Sequence, residues 1–175
     1  MHAPRIAPLG APYAPAIQQS FDRIMPPGMA PLALFRTLAH SPRVLQRLFA
    51  GNLLDPGAIT LRERELVILR TCARCGCDYE WGVHQALFSR AAGLSADDIA
   101  ATQAAATTAA TTLLLRTVDE LHDSATITDA TWQELCSSYQ PDQILEILAL
   151  CGYYHSISFI ANACRVAPEA FAQAA

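Results

Sequence analysis

Apolar residues recur along this chain at intervals of three and four, the spacing of one face of a helix, and nowhere in sustained alternation. From Pro31 onward the pattern predicts one helix after another. Ser41-Pro42 places a capping side chain before a proline at the first helical position. Val44, Leu45, Leu48 and Phe49 then form a stripe, and Asp55-Pro56-Gly57 is expected to stop it. Thr60 with Glu63 has the spacing of a capping box and opens a helix carrying Leu66, Val67, Ile68 and Leu69. Gly76 is expected to end that helix in a left-handed turn. The next helix starts at Cys77 or Asp78 and runs to Ala92, with Gly93 as its stop. Further starts lie at Ser95-Ala96-Asp97-Asp98, at Thr128-Asp129 and at Gln140-Pro141. A helix over 107–122 presents Leu113, Leu114, Val118 and Leu121 on one side. The reading is an all-α, single-domain bundle over residues 32–175.

Residues 1–31 are different. Pro4, Pro8, Pro12, Pro15, Pro26, Pro27 and Pro31 forbid a long helix and favour an extended arm. Only Ala14 to Met25 is left to form a helix, with Pro15 in its first turn. The arm lies either on its own domain or on a neighbouring subunit.

Composition adds a second expectation. Of 175 residues, 52% are hydrophobic and only 16% charged, below the usual quarter or so. So little charge in a small chain points to surface hidden between subunits, hence a homo-oligomer. The net charge is −4, every basic residue is arginine, and no basic run occurs. Nucleic-acid binding is therefore not expected. No charged start followed by an apolar run marks an export signal. The apolar stretch from Ile147 to Tyr154 is too short to span a bilayer. No membrane association is expected, and the expected compartment is the cytoplasm. There the six cysteines are read as reduced thiols, with Cys136, Cys151 and Cys164 in apolar or helical surroundings.

The segment from Cys77 to His84 carries the candidate chemistry. At about 100° per residue, Cys77, Glu80 and His84 fall within about 60° of one another on a helix. Nucleophile, base and orienting carboxylate are the parts of a thiolate site. A cysteine in the first turn of a helix and near an imidazole can fall from about 8.5 into the range of about 3.5–7.5. Glu80 is spaced to orient the His84 ring. Glu65 sits on the preceding helix, where Arg62 or Arg64 could pair with it. Tyr79 and Trp81 are candidates for core packing or for the wall of a pocket. Cys72, Cys75, Cys77 and His84 supply nitrogen and sulfur ligands, but not at a familiar zinc spacing, so no metal is expected. A faint internal echo links His84…Phe88 with His155…Phe159.

Leu61-Arg-Glu-Arg-Glu-Leu-Val-Ile-Leu-Arg70, Cys77-Asp-Tyr-Glu-Trp-Gly-Val-His84 and Ala92-Gly-Leu-Ser95 together resemble the carboxymuconolactone decarboxylase family, which shares a superfamily with alkylhydroperoxidase D. The resemblance runs from about Ala33 to Val166 and includes Leu150-Cys-Gly-Tyr-Tyr154. It implies an all-helical fold and oligomers, commonly trimers or hexamers. In the peroxidase branch a glutamate precedes a C-x-x-C that a histidine follows. Glu65, Cys77 and His84 match the glutamate, the first cysteine and the histidine, while Glu80 stands at the second cysteine. A disulfide-cycling mechanism therefore does not carry over intact. The decarboxylase branch, working by acid–base chemistry on a lactone acid, does not require the cysteine.

Three functions follow as expectations. The first is a peroxiredoxin-like enzyme using Cys77, with Glu65, Glu80 and His84 assisting, no cofactor, and an external thiol as reductant. The second is a cofactor-free decarboxylase or isomerase of a small carboxylated ring compound, using Glu65, Glu80 and His84. The third is a non-catalytic oligomeric binder of small ligands.

Overall fold

The computed structural model describes residues 3–104 and 113–173, and every regular element among them is helical. The helices are α1 (Pro15–Ile24), α2 (Ala33–Leu38), α3 (Pro42–Ala50), α4 (Leu61–Arg74), α5 (Asp78–Phe88), α6 (Ala96–Gln103), α7 (Leu113–Ser124), α8 (Asp129–Ser138) and α9 (Pro141–Cys164). A 3₁₀ turn, Ala170–Gln173, closes the described chain.

The helix starts sit where the capping chemistry places them. Ser41 accepts from the Val44 N–H. Thr60 and Glu63 form a reciprocal box, as do Ser95 and Asp98. Thr128 accepts from the Thr131 N–H. Each such cap contributes about 1 kcal/mol by satisfying an orphan donor of the first turn. The ends differ more. Helix α3 stops at Ala50, before the expected Asp55-Pro56-Gly57. That segment instead wraps a carboxylate of α9: Glu146 accepts from the Ala58 N–H at 2.6 Å. A Cβ on Gly57 would lie 2.0 Å from Glu146 Oε1, so a larger residue there would have to displace this carboxylate from the Ala58 N–H. Regular α5 ends at Phe88 rather than Ala92, and turns lead from it to Gly93 at φ +64°. Gly76 takes the expected left-handed turn, φ +58°. The first part of the helix expected over 107–122 falls outside the described residues, and α7 is described from Leu113.

Helix α4 is the hub, packing against α5, α6, α7 and α9. Every residue from Arg64 to Cys72 is buried, as for a helix covered on all sides. Its buried charges are paired. Arg70 holds Asp119 of α7 through two hydrogen bonds, 2.7 and 2.8 Å, and donates to the carbonyls of Thr102 and Ala104. Helix α9 is long and apolar enough to cross a membrane by length and composition. Its inner face, however, is core: Ile147, Leu150, Cys151, Tyr154, Ile157 and Ala161 are buried against the hub.

The N-terminal arm folds back on its own domain. The Arg5 N–H reaches the Cys164 carbonyl at 2.8 Å, and the Leu9 N–H reaches the Arg36 carbonyl at 3.2 Å. Phe21 of α1 is buried in the main core, with Tyr13 edge-on to its ring at 5.0 Å. This placement brings α1 and the Met25–Met29 turn over a cavity between α2, α3, α5 and α9.

Candidate active site

The cavity has a volume of about 990 Å³. Its walls are mostly apolar and aromatic, with Leu34, Phe35, Phe49, Phe88 and Tyr153 among them. Ser20, Arg23 and Met25 come from the arm and its turn. Glu80 and His84 of α5 and Tyr154 of α9 supply the ionisable groups of the inner wall. A mostly apolar pocket with a few convergent polar groups is the usual form of a small-molecule site.

His84 is the pivot. It is 3% exposed, and its Nδ1–H donates to Glu65 Oε2 at 2.8 Å. That bond leaves the lone pair on Nε2, which accepts from the Tyr154 hydroxyl at 2.9 Å. Glu80 Oε2 lies 3.8 Å from the same nitrogen. Phe88, one turn along α5, stacks on the imidazole at 5.1 Å. Behind the ring, Glu65 is fully buried and held from its other oxygen by Arg64 Nε at 2.9 Å. Arg64 is itself fixed by the Leu54 carbonyl and lies 5.8 Å from the Phe88 ring centre. The chain of contacts Arg64–Glu65–His84–Tyr154 thus runs from the hub helix to the cavity wall. Its ring orientation and tautomer are set before any ligand arrives.

Glu80 differs from Glu65: among the described residues no arginine pairs with it. It is 6% exposed, and burial pushes its carboxyl above the ordinary range. The His84 ring acts in the opposite sense, and the Glu169 carboxylate adds to the rise. Burial likewise lifts the Tyr154 phenol well above its ordinary value. The site therefore presents a carboxyl that burial shifts toward its protonated form, and a phenol hydroxyl that donates to His84 Nε2. Those are the parts for proton transfer.

The cysteine does not join them. Cys77 caps the start of α5, as its position suggests, but it is 0% exposed and is not a lining residue of the cavity. Burial pushes its thiol up to about 11. The Glu80 backbone N–H and the Ser158 hydroxyl oppose that rise, and the nearby Glu80 carboxylate adds to it. The expected lowering by the helix start is outweighed by lost solvation of the thiolate. Tyr79 and Trp81 are likewise not lining residues of the cavity. Tyr79 donates to Glu169 Oε1 at 2.7 Å and accepts from the Leu34 N–H. Trp81 donates to the Thr102 hydroxyl at 3.1 Å. Both do packing work rather than wall a pocket. His84 is likewise separate from the cysteines as a ligand: it belongs to no cluster of three or more potential metal ligands among the described residues. Tyr154 is the functional residue that spacing missed. It stands seventy residues beyond His84, and only its place in the Tyr153-Tyr154 stretch hinted at it.

Comparison with known proteins bears on the fold. Residues 41–120 match the model of the Carboxymuconolactone decarboxylase family. No curated protein sequence matches the chain. An uncharacterised peroxidase-related protein from Silicibacter sp. TM1040 shares the fold with a TM-score of 0.73 at 20% identity, over 97% of this chain and 96% of that one. An uncharacterised peroxidase-related protein from Ralstonia eutropha JMP134, described as an alkylhydroperoxidase AhpD core, gives 0.73 at 19% identity, over 98% and 96%. The debrominase Bmp8, as a cysteine-to-alanine variant in complex with 2,3,4-tribromopyrrole, gives 0.70 at 16% identity, over 97% and 94%. At these identities the likeness is one of fold.

Proposed function

We propose that this chain, a member of the carboxymuconolactone decarboxylase family with the AhpD-like helical fold, is an acid–base enzyme that acts on a small carboxylated ring compound. The observation that carries this reading is the cavity wall. Glu80, His84 and Tyr154 converge on it, and Cys77 does not reach it. The aromatic walls suit a planar or nearly planar ring, and their low polarity favours loss of charge from a bound carboxylate. In a decarboxylation the substrate C–C bond breaks, carbon dioxide leaves, and the electron pair stays on the ring carbon. Glu80, held as the acid, donates its proton to that carbon and becomes a carboxylate. His84 Nε2, 3.8 Å away, returns a proton from water by way of the site. In an isomerisation the same pair works in the other order, with His84 removing a proton and Glu80 delivering one. Glu65 and Arg64 position His84 and do not touch the substrate. No step draws on a cofactor. The chain works as a homo-oligomer, a trimer or hexamer, in the cytoplasm.

A second reading, reduction of peroxide at Cys77 with an external thiol as reductant, draws on the names of the peroxidase-related structural neighbours. The burial of Cys77 and its raised thiol weigh against it.

One set of variants separates the two. Turnover of carboxymuconolactone and related lactone or aromatic acids should fall by about 10²–10⁴ in His84→Gln and Glu80→Gln. It should stay within about twofold of wild type in Cys77→Ser. Peroxide turnover that vanishes in Cys77→Ser, with no activity on ring acids, would reverse the assignment.

A further inference from the structure

Among residues that do not line the cavity, three side chains meet that the proposed reaction does not use. Cys75 lies at the C-terminal cap of α4, His122 in the last turn of α7 and His155 midway along α9. His122 Nδ1 is 3.0 Å from His155 Nε2 and 3.9 Å from Cys75 Sγ. All three ligand atoms lie within 4.8 Å of one another, and each residue is only partly buried, so an ion can reach them.

The scaffold fixes each of them. The His155 Nδ1–H donates to the Cys151 carbonyl at 2.8 Å, so Nε2 faces the cluster with its lone pair. Phe159 packs edge-on against that ring at 6.2 Å. The Cys75 backbone is held on both sides, its N–H by the Thr71 carbonyl and its carbonyl by the Asn162 amide at 3.0 Å. The local charge is mixed. Arg74 is the nearby positive group, and it pairs with Asp119 at 3.4 Å and with Asp123. Burial, Arg74 and His155 push the His122 imidazole down, and Asp123 and Asp119 act in the opposite sense.

We infer that Cys75, His122 and His155 form a binding site for a borderline-soft divalent metal ion, zinc in the first instance, with one thiolate and two imidazole ligands. Such an ion sits about 2.3 Å from sulfur and about 2.0–2.1 Å from nitrogen. A tetrahedral ion with those bonds holds its ligand atoms about 3.3–3.6 Å apart. The two imidazoles must open by a few tenths of an ångström, and Cys75 must approach His122 by a similar amount and His155 by up to about an ångström. Both changes are within the reach of side-chain torsions. The ion takes the place of the Nδ1–H proton that now bridges the two rings; His122 carries its proton on Nε2 instead and stays a neutral imidazole, so the thiol proton alone leaves, net, to solvent, and no electron is transferred. Three protein ligands leave a fourth position to water or a small anionic ligand. The site is separate from the acid–base cavity and does not depend on the reaction proposed there.

Cobalt(II) is the probe, added anaerobically to the reduced, metal-stripped full chain. One equivalent should produce a thiolate-to-cobalt charge-transfer band and the intense visible bands of a tetrahedral ion, and zinc should displace it. Cys75→Ser should abolish the charge-transfer band. His155→Gln should weaken binding at least about tenfold, and it decides the matter should Cys75→Ser fail to fold. Cys136→Ser should leave the spectrum unchanged. Absence of stoichiometric binding, or a charge-transfer band that survives Cys75→Ser and disappears in Cys72→Ser or Cys77→Ser, would overturn the assignment.

Discussion

Cys77 and Glu80 are one helical turn apart, yet their surroundings give them opposite uses. The thiol at the head of α5 is enclosed by the core, and the carboxyl one turn on reaches the cavity. Spacing placed both on one stripe with His84, and spacing carries no information about which side of a wall each side chain occupies. The same limit hid Tyr154, whose hydroxyl meets His84 only because α9 packs beside α5. Glu65 could be matched from the resemblance, and Arg64 was one of two candidates for its partner. Burial decides the reactivity of the thiols. Alkylation at neutral pH should modify exposed Cys136 first and Cys77 slowly, with a Cys77 midpoint close to 11 by mass-spectrometric titration. A Cys77 midpoint below that of a free thiol would contradict the description of its environment.

At the scale of elements, the helix starts were legible because a cap is a local device. Ser41, Thr60, Ser95 and Thr128 each carry their own oxygen to the first turn. The helix ends were less so, because α3 and α5 stop where the loops must reach Glu146 and the Gly93 turn. The short α2 had no cap to announce it, and its Leu32 N-cap offers no side-chain acceptor. Two elements depend on a single buried group. Arg70 ties α4 to α7 and to the end of α6, with all its partners supplied by the fold. Removing the guanidinium in Arg70→Ala takes from Asp119 its closer cationic partner, leaving Arg74 at 3.4 Å, and should cost about 3 kcal/mol by urea denaturation, the low end for breaking a buried pair. Phe21 ties the arm to the core, and Phe21→Ala should cost about 3–5 kcal/mol. The latter change should also loosen the arm, which limited proteolysis reads as faster cleavage ahead of Ala33. Equal cleavage in both proteins would show that the arm is held by other contacts.

For the whole molecule, the low charge leads to a prediction about assembly. Leu145 and Phe159 on α9 are 67% and 66% exposed, and Trp132 on α8 also stands out from the surface. An interface between copies would cover such groups. Light scattering at micromolar concentration should give a mass several times 18.9 kDa. A clean monomer would leave those side chains without a partner and remove the compositional argument. The fold class was open to reading because helix periodicity repeats along the whole chain. The packing of the arm was not, since proline content says that a segment is extended and not what it lies on.

The account as a whole rests on burial raising the Glu80 carboxyl above its ordinary range while it faces His84. A carboxyl raised by folding favours the native state most below its unfolded value of about 4.3, and that contribution is lost as pH rises through the folded value. Carbon-13 NMR of glutamate-labelled protein reads this ionisation directly, with Glu80→Gln identifying the resonance. The account predicts a Glu80 midpoint clearly above that of an ordinary glutamate. A midpoint at or below the ordinary value would make Glu80 a carboxylate at neutral pH and contradict its role as the acid of the site.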